Sequence, residues 1–210
     1  MQTKRIVSQV NIVKLVLIVM IIPGWQSCIM TSNGFTGRTL ERGEINISPA
    51  FDYLVISDKD QTRFGFYPSF GADFGIPLRS EIGIKYYPLT FFKGSLRTQL
   101  TPRDFDNWQI GTTVDINYTS IDSWPLIPFF RITAGYNTDI TRPFINLSYS
   151  PIKIYDRNGY FQFGVGAGIP LGPKENQTVL IPELMIGSRD EYMLSFGLGF
   201  RLPLGKQQKK

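Results

Sequence analysis

The chain has 210 residues, 42% hydrophobic and 14% aromatic, with 20 Gly, 14 Pro, one Cys and no His. That apolar content suits one folded domain. One Cys excludes an internal disulfide framework, and the lack of His excludes Ser-His or Cys-His catalysis, His-ligated zinc and imidazole acid–base chemistry. The net charge of +5 sits at the ends: six of the 22 basic residues fall in the first 14 positions or the last five, leaving 16 between them against all 17 acidic residues. The body therefore lacks the concentrated basic face that a nucleic-acid binder needs.

In chain order, residues 1–27 read as an export signal that is removed. A basic stretch ends at Lys14, an apolar run follows from Leu15 to Ile22, and Pro23-Gly24 breaks it. The run is too short for a membrane-spanning helix, which needs about 20 apolar residues. Directly after it, Ser27 precedes the lone Cys28. A small residue before a cysteine at this point resembles the cleavage site of bacterial lipoproteins, which implies lipidation of Cys28 and a membrane anchor. Residues 28–43 are polar, contain Gly and show no sustained period, and so read as a tether leading into the first strand.

From residue 44 to 204 the pattern alternates with period two, the strand signature. Arg63–Ile76 sets Phe64, Phe66, Pro68, Phe70, Ala72, Phe74 and Ile76 against Gly65, Ser69, Gly71, Asp73 and Gly75. Asn107–Thr119 repeats the alternation, and so does the final segment from Tyr192 to Leu202. Weaker copies are Glu44–Leu54, Arg79–Leu89, Ser95–Thr101, Leu126–Tyr136, Arg142–Pro151, Tyr160–Pro170 and Thr178–Ser188. Turn chemistry separates most of them, as at Ser57–Asp60, Thr101–Asp104, Tyr136–Asp139, Tyr155–Gly159, Leu171–Lys174 and Arg189-Asp190. About ten long strands (8–12) are predicted, closed into an antiparallel up-and-down transmembrane β-barrel, because closure removes the exposed edges. Residues 205–210 are a basic tail.

Alternation alone leaves two faces to choose between. In a soluble lipocalin-like barrel, periplasmic or at the cell surface, the apolar set would fill the core and bind an apolar ligand. In a membrane barrel the apolar set meets lipid and the polar set lines the lumen. The apolar set holds more large side chains than so narrow an interior can pack, and the polar set is rich in Gly, as in Gly164-Val-Gly-Ala-Gly168. Trp108 and Tyr118 lie ten residues apart. At a tilt near 40° that separation spans about 25 Å of height, the lipid-facing band of a barrel. The expected aromatic belt is Trp108, Tyr118, Tyr136, Tyr192 and Phe200. The expected lumen charges are Asp52, Arg63, Asp73, Glu81, Lys85, Arg97, Asp115, Arg131, Glu183 and Arg201, five acids and five bases that would have to pair in a narrow interior.

The leader, the cysteine, the alternating segments and the Arg38-Thr-Leu-Glu-Arg-Gly43 approach to the barrel together resemble small outer-membrane β-barrel proteins of Gram-negative bacteria, above all the lipoprotein type of the Bacteroidota and similar phyla. The resemblance implies an outer-membrane location, contact with its lipids, and delivery by the barrel-assembly machinery. The final strand departs from the terminal aromatic common in that class, since Arg201-Leu-Pro-Leu and the basic tail follow Phe200. Barrel enzymes such as lipid A deacylases, palmitoyltransferases, omptin proteases and phospholipases work through a histidine, so catalysis is not expected. Gly164-x-Gly166-x-Gly168 lacks the spacing of a dinucleotide loop, and no cofactor or metal is expected. The role expected is a structural envelope component or a small passive, porin-like channel.

Overall fold

The computed structural model describes residues 35–57, 61–88, 91–102, 107–119, 126–138, 140–151, 159–172, 177–188 and 192–204. The leader, Cys28 and the basic tail lie outside the described residues. Eleven strands form one sheet: β1 (Ile45–Ile47), β2 (Ala50–Ser57), β3 (Thr62–Ile76), β4 (Ser80–Tyr87), β5 (Phe91–Gln99), β6 (Trp108–Thr119), β7 (Leu126–Tyr136), β8 (Arg142–Ser150), β9 (Tyr160–Leu171), β10 (Thr178–Ser188) and β11 (Tyr192–Leu204). β1 and β2 are one stave interrupted at Ser48-Pro49, where the proline has no N–H to give the ladder. Both pieces pair with β3 on one side and β11 on the other. The architecture is a closed antiparallel barrel of ten staves.

The registers fix the geometry of closure. Stepping from partner to partner from Phe74 of β3, through Ile82, Leu96, Val114, Phe130, Tyr149, Phe161, Ser188, Tyr192 and Ser57, the ladder returns to β3 at Thr62, twelve residues from its start. A stagger of this size goes with strands tilted by roughly 35–45° and an interior filled by side chains. Two ends result. The terminal end carries the start of β1, the end of β11 and the turns after β3, β5, β7 and β9; the distal end carries the remaining connections.

Most strands lie within three residues of the segments read from the alternation. The exception is Ser95–Thr101, which is replaced by Phe91–Gln99. There the adjacent Phe91-Phe92 pair hides the alternation, and Pro102 stops the ladder early. The turn joining β3 to β4 carries Pro77 but no Gly, Asn or Asp to favour a positive φ. It nevertheless holds Leu78 at φ 63° and Arg79 at φ 54°, a left-handed pair that suits a tight hairpin but strains side chains with a Cβ.

Candidate functional site

Alternation sorts every strand into one face that meets the lumen and one that meets the surroundings. On the outer face stand Phe64, Phe66, Phe70, Ile84, Ile132 and Leu147, among many other exposed large apolar side chains. On the inner face the buried residues are chiefly Ser, Thr, Asn, Gln and charged groups. This inverts the anatomy of a soluble barrel, in which the apolar set would fill the core; it is the distribution of a barrel that spans a membrane with its strands. Of the expected aromatic belt, Trp108 and Tyr118 are exposed, while Tyr136 and Phe200 are half-buried. Trp108 packs edge-on against Tyr136 at 5.1 Å, and the Tyr136 hydroxyl accepts from Asn107 Nδ2 at 3.1 Å. The Tyr192 side chain lies outside the described residues.

Nine of the ten expected lumen charges are buried inside the barrel: Asp52, Asp73, Glu81, Lys85, Arg97, Asp115, Arg131, Glu183 and Arg201. Arg63 is a correction. Its position has inward parity, but β3 meets β4 only from Phe70 onward, opposite Tyr86. Arg63 therefore stands on a hairpin that projects past this wall. It is exposed there, with Nη2 donating to Gln61 Oε1 at 3.3 Å. Lys93 takes its place in the interior, 2% exposed. Its inward parity with Ser95 and Arg97 marked it, but the segment read from the alternation began two residues too late. The buried set still balances at five acids and five bases.

The charges form clusters rather than a scatter. Near the terminal end Arg97 Nη1 donates to Asp73 Oδ1 at 2.9 Å and to Glu81 Oε1 at 2.8 Å. Arg201 closes the square, its Nη2 on Glu81 Oε1 and its Nε 3.6 Å from Asp73 Oδ2. Deeper, Asp115 faces Lys93 and Arg131. Lys85 interacts electrostatically with Asp52, Asp73 and Glu183. Glu183 also accepts from Asn146 Nδ2 at 2.6 Å, and Tyr87 donates its hydroxyl to Asp52 at 3.3 Å. Mutual pairing of this kind is what makes buried charge tolerable.

The residues before β1 are not a free tether. Phe35, Thr36, Gly37 and Thr39 are buried, and the segment lies across the terminal mouth of the lumen. Phe35 is fully buried, with Arg97 5.9 Å over its ring. Leu40 N–H donates to Glu81 Oε2 at 2.9 Å, Thr39 N–H to Gln99 Oε1 at 3.4 Å, and the Thr39 hydroxyl to the Arg79 carbonyl at 3.1 Å. Gly75, Gly111, Gly135 and Gly168 form its seat: a Cβ on any of them would crowd Glu41, Phe35 or Thr36. At Gly111 a Cβ would come within 2.7 Å of the Phe35 ring. The alternation marks these glycines as lumen-facing but carries no sign of which segment they seat.

At the distal end the lumen turns apolar. Leu54, Tyr87, Phe91, Ile127, Phe129, Met185 and Met193 form a buried cluster, flanked by Ile56 and Tyr67. They belong to the distal ends of six staves, and Tyr87 stacks on Phe91 at 4.1 Å. The expectation of a polar lumen is therefore corrected: the strap, the ion pairs and a small apolar cluster of Phe144, Val179 and Ile181 occupy the terminal third, charged and amide side chains the middle, and a larger apolar layer the distal third. Among the described residues no cluster of His, Cys, Asp and Glu is placed to hold a metal ion.

No protein-family model matches the chain, and no curated protein matches it. Among solved structures it is similar to a de novo designed transmembrane β-barrel, at 12% identity and TM-score 0.33, over 78% of this chain and 99% of that one. It is also similar to Ail, the attachment invasion locus protein of Yersinia pestis, at 10% identity and TM-score 0.32, over 78% and 99%. Neisserial surface protein A is similar at 10% identity and TM-score 0.30, over 75% and 96%.

Proposed function

We propose that this chain is an outer-membrane β-barrel of the bacterial cell envelope, with a closed lumen that makes it a structural component rather than a pore. The observation that carries the reading is the inverted wall, apolar outside and ion-paired inside. Such strands carry too weak a hydrophobic signal to be held as helices in an inner membrane, so an exported chain of this pattern passes on to the outer one. The leader at residues 1–27 supplies export, the barrel-assembly machinery inserts the strands, and outer-membrane lipids cover the wall. Lipid chains on Cys28 would add a second hold at the surface, and ten staves bring both ends of the barrel to that same side.

Closure follows from three filled layers and a balanced interior. A selective pore carries a surplus of one sign along its wall, whereas here acids and bases are equal in number. No catalysis is assigned to the chain, since Asp73, Glu81 and Asp115 are engaged with Lys and Arg and no histidine is present.

The test uses Cys28→Ala, which removes the anchor and leaves the wall intact. The expected result is a protein that still requires detergent for extraction, shifts in gel mobility on boiling, and shows no steady conductance in a planar bilayer. Release into buffer without detergent would refute the membrane reading; stable single-channel steps would refute the closed lumen.

A further inference from the structure

Around Asp115 the interior carries more positive than negative charge. Asp115 Oδ2 lies 3.2 Å from Lys93 Nζ and 3.7 Å from Arg131 Nη2, while Oδ1 accepts from the Ser95 hydroxyl at 2.6 Å. One carboxylate thus faces two cations, unlike the square of Arg97, Arg201, Asp73 and Glu81, where two meet two. Lys93, Asp115 and Arg131 are 2%, 1% and 4% exposed, a depth at which a surplus charge is costly.

A second observation falls at the same place. Arg131 Nη1 is buried with no hydrogen-bond partner in the protein, as are the hydroxyl oxygens of Thr113 and Thr133. Thr113 directly opposes Arg131 on the β6–β7 ladder, and Thr133 is the next inward-facing residue of β7. On its other side Thr113 opposes Arg97. One guanidinium donor and two hydroxyls able to donate therefore share one patch of wall, beside a local excess of positive charge. A water molecule could accept from these groups but would leave the charge as it stands.

We propose that Arg131, Thr113 and Thr133 bind a small monovalent anion of the halide class, which offsets the local excess of positive charge in the Lys93–Asp115–Arg131 cluster. Asp115 bounds the patch on the distal side and the Phe35 ring, seated against Gly111, bounds it on the terminal side. These walls favour a compact anion over an oxyanion. The site is independent of whether the lumen conducts.

Bromide is the probe. The full mature chain, folded in detergent and crystallised from sodium bromide, should give an anomalous scattering peak among these three side chains. Its unfolding midpoint at fixed ionic strength should be several degrees higher in chloride or bromide than in gluconate, because binding to the folded state alone stabilises it. The double variant Thr113→Val, Thr133→Val keeps shape and charge and should lose that difference. The proposal is overturned by water alone at the patch, by bromide found only elsewhere, or by a wild-type midpoint indifferent to the anion. The last result would mean that the cluster is neutralised within the protein, as by loss of the Lys93 proton. The wild-type arms decide the matter even if the double variant fails to fold.

Discussion

At the terminal end the lumen is filled by backbone: residues 35–40 lie across the mouth, held by hydrogen bonds to Glu81, Gln99 and the Arg79 carbonyl. At the distal end, among the described residues, it is filled by side chains, an apolar cluster contributed by the strands themselves. The difference teaches that one tube can be filled by two kinds of physics. A strap is a shape-specific closure that tolerates neither a lost partner nor an added Cβ. An apolar layer depends on total volume and tolerates exchange among side chains of similar size.

The largest effect should come from breaking the strap's own latch. Glu81 is fully buried and serves Arg97, Arg201 and the Leu40 N–H together. Glu81→Gln keeps the shape but leaves Asp73 alone between two guanidinium groups. Removing one partner from a buried ion-pair network costs about 3–5 kcal/mol. Urea titration of the protein folded in lipid vesicles should show that loss. A cost below about 1 kcal/mol would mean that water reaches the cluster and screens it, as it does at exposed pairs.

A smaller effect is expected from filling the seat. Gly111→Val places a side chain where the Phe35 ring lies, with the first added carbon 2.7 Å from it. The strand at Gly111 is extended and suits valine well, so the wall should survive while the strap is expelled, at a cost of about 1–3 kcal/mol for overpacking. Limited proteolysis would read the outcome directly. Cleavage between Phe35 and Glu44 should appear in the variant and be absent from the parent; protection in both would show that the strap does not need this seat.

The wall was legible in the sequence because period-two alternation is a local signal, and it survives wherever one face meets lipid and the other does not. It located Leu126–Tyr136 and Thr178–Ser188 to the residue. The interior was legible only in part. Inward parity identified nine buried charges, but parity says nothing of height, and Arg63 failed because its strand outruns its neighbour. The strap at 35–40 was invisible for a different reason. It has no period of its own, and its fit depends on glycines from β3, β6, β7 and β9, which only the closed barrel brings around one mouth. The distal apolar layer was hidden in the same way: Met185 and Met193 are inward residues on strands whose inward face reads as polar.

The smallest effect should come from that distal layer. Met185 is 1% exposed and packs within the cluster of Leu54, Tyr87, Phe91, Ile127, Phe129 and Met193. Met185→Leu nearly conserves volume and removes only a flexible thioether, so it should cost below about 1.5 kcal/mol, and repacking by Met193 should absorb part of that. The same urea titration that reads Glu81→Gln gives the value on one scale. If Met185→Leu proved as costly as the latch variant, the distal closure would be as shape-specific as the strap, and the contrast between the two ends would fail. If Met185→Ala cost only as much as Met185→Leu, the layer would be loosely packed and the distal seal would rest on the connecting loops instead. A cost of about 2–5 kcal/mol for alanine alongside near-neutral leucine is the result that assigns the distal seal to volume and the terminal seal to shape.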